Sequence, residues 1–261
     1  MDRREFIKRI AQMTAGTCAA WTGSSALGFG ADSKVRLHLL KVGGSANLAL
    51  SGAHVLATEV RYRTSIDMVE QPLLLSAQDP RFSEQAFAVL AGSGSFSLST
   101  QERAAIARWV SLGGFLWIDN GGSEASSTAF DRSARRELGA MFPGRSLQRI
   151  SADHVLFRSF YRLDYPAGRA IHRPYVEGLS LGPRIAVVLN HNDLLGALAK
   201  NPDGSWSSTP EPGGESQREM AMRFGVNLSM YALCQHYKDD QVHLDYLLHR
   251  RKWRIRPSEN P

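Results

Sequence analysis

Hydrophobic positions recur along this chain in two periods, and the changes between them outline its elements. Residues 35–42, VRLHLLKV, alternate loosely and predict a first strand. A Gly-rich loop, GGSANLALSG, leads into helical spacing around residues 53–63. Residues 66–75, IDMVEQPLLL, predict a short extended segment broken at Pro72. Residues 86–93, AFAVLAGS, are small and apolar with a Gly-Ser end, the pattern of a second strand. Ser99 and Glu102 have the spacing of a capping box, in which the Ser oxygen accepts a helix N–H while the Glu reaches back. Ala105, Ile106, Trp109, Val110 and Leu112 then recur at helical spacing, and Gly113-Gly114 predicts a left-handed C-terminal cap. FLWID is the next strand.

Residues 86–119 therefore read strand, helix, strand, which predicts a parallel pair with a right-handed crossover. A further helix is predicted over residues 130–142, packing through Phe130, Ala134, Leu138 and Met141. Residues 184–190, RIAVVLN, have the nearly continuous apolar run of a strand buried on both faces. Residues 217–237 form a closing helix. Irregular insertions are expected at 143–183 and at 200–216, the latter a loop by composition. Together the elements predict one α/β domain over residues 32–249, with a doubly wound, mostly parallel sheet.

The first thirty residues change the picture of where this domain works. Arg3, Arg4, Lys8 and Arg9 are followed by an uncharged, weakly apolar stretch from Ile10 to Ala31. That is the layout of an export signal over residues 1–31. Arg3-Arg4-Glu5-Phe6-Ile7-Lys8 resembles the twin-arginine motif, and the expected address is the periplasm. An ordinary secretory signal and a basic amphipathic helix are the alternatives. No apolar run reaches the roughly 18–20 residues that span a bilayer, so no transmembrane span is expected in the mature chain. Cys18 lies in the signal and Cys234 in an apolar helical pattern, which leaves no internal disulfide after cleavage. The net charge of +6 comes from this signal and a basic tail at 250–261, so the body is balanced. A chain basic only at its ends is not expected to bind nucleic acid.

Four stretches in order resemble a known family. They are LAGSGSFSLSTQERAAIARWVSLGGFLWIDN, FDRSARRELGAMFPGRSLQRISADHVLFRSFYRL, GPRIAVVLNHNDLLGAL and RFGVNLSMYAL, and the family is domain-of-unknown-function family 4159 (DUF4159). The resemblance covers most of residues 35–237. It implies a flavodoxin-like fold related to class I glutamine amidotransferases, in bacterial proteins that are often exported or membrane-attached. It implies no activity. Where that fold acts as an amidotransferase, a nucleophilic Cys sits on a sharp turn after a strand, and neither Cys here occupies one.

In an open parallel sheet, ligands bind beyond the carboxyl ends of the strands. Four loops are expected there: Gly43 to Gly52, Gly92 to Ser97, Asp119 to Ser123, and Asn190 to Asp193. They offer Asp119, His191 and Asp193 as candidate catalytic groups, with Ser93, Ser95, Asn120 and Asn192 as candidate ligand contacts and His54 at the head of the first helix. Asp119, His191 and Asp193 suit a divalent cation or a hydrolytic set. Each Asp and Asn has a bland reading as a turn or cap residue. Gly121-Gly122-Ser123-Glu124-Ala125 comes near a nucleophile elbow, with no His marked as its partner. Gly92-Ser93-Gly94-Ser95 precedes a helix as an anion cradle would, but lacks a P-loop Lys. Asn227, in an apolar helical context, is expected to bond a loop backbone. Trp206 and Tyr175 are the aromatic candidates for a carbohydrate platform. The leading expectation is a non-catalytic binding or assembly domain whose partner is an unidentified small ligand or envelope protein. The alternative is a metal-dependent hydrolase using Asp119, His191 and Asp193. Cofactor and metal content stay open.

Overall fold

The computed structural model describes residues 34–41, 46–122 and 124–250; the predicted signal, Cys18, Ser123 and tail residues 251–261 lie outside them. The strands are β1 (Val35–Leu40), β2 (Met68–Leu75), β3 (Phe87–Gly92), β4 (Phe115–Asn120), β5 (Gln148–Arg149), β6 (Glu177–Leu181) and β7 (Arg184–Asn190). The α-helices are α1 (Ala46–Arg63), α2 (Thr100–Ser111), α3 (Glu124–Met141), α4 (Leu194–Leu198) and α5 (Gly214–Arg250).

One sheet runs β2-β1-β3-β4-β7-β6-β5. The first five are mutually parallel, and β6 and β5 add antiparallel at the far edge. The order of the parallel strands is that of a doubly wound, flavodoxin-like sheet. Alternate side chains of each strand enter two cores, because strand residues point to opposite faces. Val35, Leu37 and Leu39 of β1, Phe87 and Val89 of β3, and Phe115 and Trp117 of β4 face α1, α4 and α5. Leu40, Ala88, Leu90, Leu116 and Ile118 face α2 and α3. The helix after β1 and the helix after β3 thus lie on opposite faces, which opens a crevice between those strands at their carboxyl ends.

The capping box forms as its spacing predicts: Ser99 Oγ accepts from Glu102 N at 3.1 Å, and Glu102 Oε2 accepts from Ser99 N at 2.8 Å. Gly113 follows α2 with φ +120°, a backbone angle that a residue with a Cβ resists.

Four departures from expectation have a physical reason. The segment around Pro72 is a full strand, because β2 is the sheet edge and pairs only with β1. Its register jumps from Arg36↔Val69 to His38↔Leu73, so Pro72 lies in a bulge where no ladder N–H is needed. The stretch 143–183, expected to be irregular, contains β5 and β6. β6 returns into β7 through the two-residue turn Gly182-Pro183, with Gly182 at φ +62°. α1 begins at Ala46 and absorbs Gly52, which the composition assigns to a loop. A Cβ on Gly52 would lie 2.0 Å from the Leu195 carbonyl oxygen, so glycine is what lets α1 approach α4. α5 runs to Arg250 because no Gly or Pro follows Gly225 until Pro257.

Candidate functional site

The site is built where β4 and β7 end side by side. Asp119 pairs in register with Asn190, and as the third residue of the Phe115–Trp117 face it points toward α4. Its carboxylate is buried and accepts from three donors: Asn190 Nδ2 at 2.8 Å, Leu194 N at 3.1 Å and Leu195 N at 2.8 Å. It thus satisfies two of the backbone N–H groups that open α4. Burial pushes its pKa up and the neighbouring Asp193 adds to this. The three donors pull it back, and the net position is about 7.

Asp193 caps the same turn. It sits in the left-handed region at φ 55°, which Asp tolerates, and its Oδ1 accepts from Gly196 N at 3.0 Å. Its other oxygen accepts from Arg169 Nε, and Arg169 N in turn donates to the Asp193 carbonyl at 2.9 Å. Gly168 fits beneath this corner because a Cβ there would lie 1.8 Å from the Asn192 carbonyl oxygen. Asn192 completes the corner: its Nδ2 donates to the carbonyls of Pro166 and Arg173, both at 2.7 Å, and its Oδ1 accepts from Arg173 N at 2.9 Å.

A crevice of about 320 Å³ opens over these groups. Its floor is Ala91, Gly92, Asp119 and Gly121 at the strand ends, and its walls carry Ser93, Arg169, Asp193, Gly196, Ser207 and Ser208. The Ser207–Ser208 wall is pinned by Arg218, whose Nη1 donates to Ala197 O and Nη2 to Ser208 O while its guanidinium stacks on Trp206.

The sequence-predicted residues divide among several places. Asp119, Asp193 and Ser93 line the crevice. Ser95 borders a separate shallow depression with Phe96, Ser97 and Arg136. Asn120 turns to α3, donating to Ser127 O at 2.9 Å and accepting from Gly122 N at 3.3 Å. His54 bonds the Glu70 carbonyl at 2.8 Å. Trp206 has Lys200 and Arg218 against its ring, and Tyr175 has Arg149 at 3.7 Å, so the two aromatic candidates already hold cations. Asn227 bonds a loop backbone, accepting from Phe160 N and Tyr161 N and donating to Tyr161 O.

His191 has different company from Asp119 and Asp193. Its Nε2 is 2.9 Å from Glu177 Oε2 and its Nδ1 is 3.8 Å from Asp131 Oδ1. Ligand atoms of Asp131, Glu177 and His191 lie within 4.8 Å of one another, a spacing compatible with a metal. The Arg135 guanidinium already pairs with both carboxylates there. Burial lowers the His191 pKa more than its acidic neighbours raise it, so the ring is neutral near pH 7. Burial also pushes Glu177 up, but Arg135 and His191 together outweigh it and hold its carboxylate below the usual range.

Arg169 is the residue that the sequence patterns pass over. It lies in the aperiodic stretch before β6, and its one local cue is Gly168, whose need for close approach emerges only in three dimensions.

The family model described as Domain of unknown function (DUF4159) matches residues 36–233, well over half of the chain, and the chain belongs to that family. No curated protein matches it.

Proposed function

We propose that this member of the DUF4159 family is an exported, non-catalytic binding protein on an amidotransferase-like scaffold, with its ligand seat in the crevice at the ends of β3, β4 and β7. The observation that carries this reading is how the polar groups at the strand ends are spent. Asp119, Asn120, Asn192 and Asp193 all direct their side chains at neighbouring backbone. A general base must reach a substrate proton with an available lone pair. Asp119 has three of the roughly four lone-pair sites of its carboxylate taken by protein donors and works as the cap of α4. Groups used in this way build a rigid wall, which suits recognition. The Arg3-Arg4 segment and the uncharged stretch behind it support twin-arginine export and a periplasmic address.

A thermal-shift screen of small polar metabolites tests this reading, repeated on Ser93→Trp, which fills the crevice from its wall. Stabilising compounds should lose their effect in the variant and be recovered unchanged after long incubation. Hits that persist in Ser93→Trp would remove the crevice as the seat, and conversion of a hit to product would overturn the non-catalytic reading.

The alternative is a metal-dependent hydrolase. The Asp131–Glu177–His191 spacing is the observation that favours a metal, at a different position from the Asp119, His191 and Asp193 set. Elemental analysis of protein purified without chelator tests it: stoichiometric zinc or manganese, lost in His191→Ala, would support the hydrolase.

A further inference from the structure

We propose that the crevice recognises a small molecule through an oxyanion, a carboxylate or a phosphate group, paired with the terminal nitrogens of Arg169. This inference rests on the crevice being the ligand seat. The Arg169 guanidinium is held at one corner only. Its Nε donates to Asp193, while Nη1 and Nη2 have no hydrogen-bond partner among the described residues. The side chain lines the crevice and is 32% exposed, neither free in solvent nor sealed in the core. Arg218, on the opposite side of the Ser208 wall, is the contrast: both of its terminal nitrogens are consumed by backbone carbonyls.

The other polar side chains around the crevice already have protein partners. Asp119 has three protein donors, Asp193 has two, and the Ser207 and Ser208 hydroxyls donate to Ala199 O and Gly196 O. What remains on the wall is the donor capacity of a planar, delocalised cation, and such a fork matches two oxygens of one oxyanion. Asp193 offsets part of the arginine charge. Asp119, with its pKa raised toward neutrality by burial, carries less than a full negative charge near pH 7 and so repels an anion weakly.

The fork is also fixed before any ligand arrives. Arg169 N bonds Asp193 O at 2.9 Å, and Arg169 O accepts from Glu211 N at 2.8 Å. Gln217 Nε2 holds the carbonyl of Gly168 at 2.7 Å. A binding group locked by its supporting shell loses little entropy on capture. A volume of about 320 Å³ admits a metabolite-sized ligand.

The test is heteronuclear NMR on the full chain, following the Arg169 Nε–Hε resonance during titration with inorganic phosphate and, separately, with acetate at constant ionic strength. At least one anion should shift that resonance saturably. Arg169→Gln should weaken binding about tenfold or more, the scale of a lost charge-assisted pair. Arg169→Lys, which keeps a cation beside Asp193 but loses the fork, should fall between, and it carries the test if the Gln variant fails to fold. Phosphate alone binding identifies a phosphorylated ligand, and acetate alone a carboxylate. Binding of neither anion, or equal binding in wild type and Arg169→Gln, overturns the proposal. A screened ligand lost in Ser93→Trp but kept in Arg169→Gln removes the oxyanion and leaves the crevice, whereas one kept in both removes both.

Discussion

Replacing Asp119 with Asn keeps the shape of a buried side chain and removes its charge, and the structure predicts how the cost depends on pH. In the wild type two carboxylate oxygens receive three N–H donors, at 2.8, 3.1 and 2.8 Å. The amide offers one oxygen and turns an NH2 toward a donor it cannot satisfy. At least one buried N–H loses its partner, which costs about 1–3 kcal/mol. Against this stands the cost of burying the anion. Burial first, and Asp193 second, raise the pKa from 3.8 to about 7. An acid whose folded pKa lies above its unfolded one contributes stability that is full below the unfolded value and is lost as pH rises through the folded one. Between pH 5 and 7 the wild type sheds about 1.4 kcal/mol per pH unit from this group, or roughly 2–3 kcal/mol in all. Asp119→Asn has no such slope. Urea unfolding of both proteins at pH 5 and pH 8 isolates the effect, because titrating groups that do not interact with Asp119 cancel in the difference. The variant should be less stable at pH 5, and its deficit should shrink or reverse at pH 8. A deficit that grows with pH would mean that the three donors outweigh burial and that Asp119 is a stabilising anion.

Asn227→Ala strips partners from the N–H groups of Phe160 and Tyr161 and the carbonyl of Tyr161, and should cost about 2–4 kcal/mol in urea unfolding; a cost near zero would mean that α5 does not hold that loop. Gly52→Ala drives a Cβ to 2.0 Å from Leu195 O, with backbone on both sides, so unfolding should be easier by about 1–3 kcal/mol and ligand binding at the crevice weakened. His38 is buried with Nδ1 unpartnered among the described residues, and burial lowers its pKa. Its contribution is therefore present above pH about 6.5 and lost as pH falls through the depressed value, so His38→Leu should flatten the acid limb of the stability profile; an unchanged limb would place the acid-labile group elsewhere. A reporter fused to residues 1–31 should reach the periplasm and stop doing so when Arg3 and Arg4 are both changed to Lys; export that survives this would point to the ordinary secretory route.

What was legible in the chain was what depends on local chemistry. Ser99 and Glu102 announce α2 because a capping box is made within four residues, and the apolar runs of β3, β4 and β7 announce buried parallel strands because both of their faces are covered. β2 was obscured by Pro72, which is harmless only because of the strand's position at the sheet edge, a fact of topology. The hairpin β6–β7 had a signal in Gly182-Pro183, masked by the aperiodic sequence before it. At the site, Asp119 and Asp193 were visible as strand-end carboxylates, but their sharing of one five-residue helix required the pairing of β4 with β7. His191 follows Asn190 just past the end of β7, turns to the other face and meets Glu177 and Asp131. Arg169 gains its meaning from a partner 24 residues away, and no periodicity could report that.

The most direct test of the ligand seat is a crystal structure of the protein purified natively, without chelator or extensive dialysis, and read at the crevice. The prediction is a small molecule lodged over Gly92 and Gly121, with oxygens on the Arg169 fork and Asp119 still bonded to Leu194 and Leu195. A crevice filled by side chains, with a metal or ligand held instead between Asp131, Glu177 and His191, would contradict it.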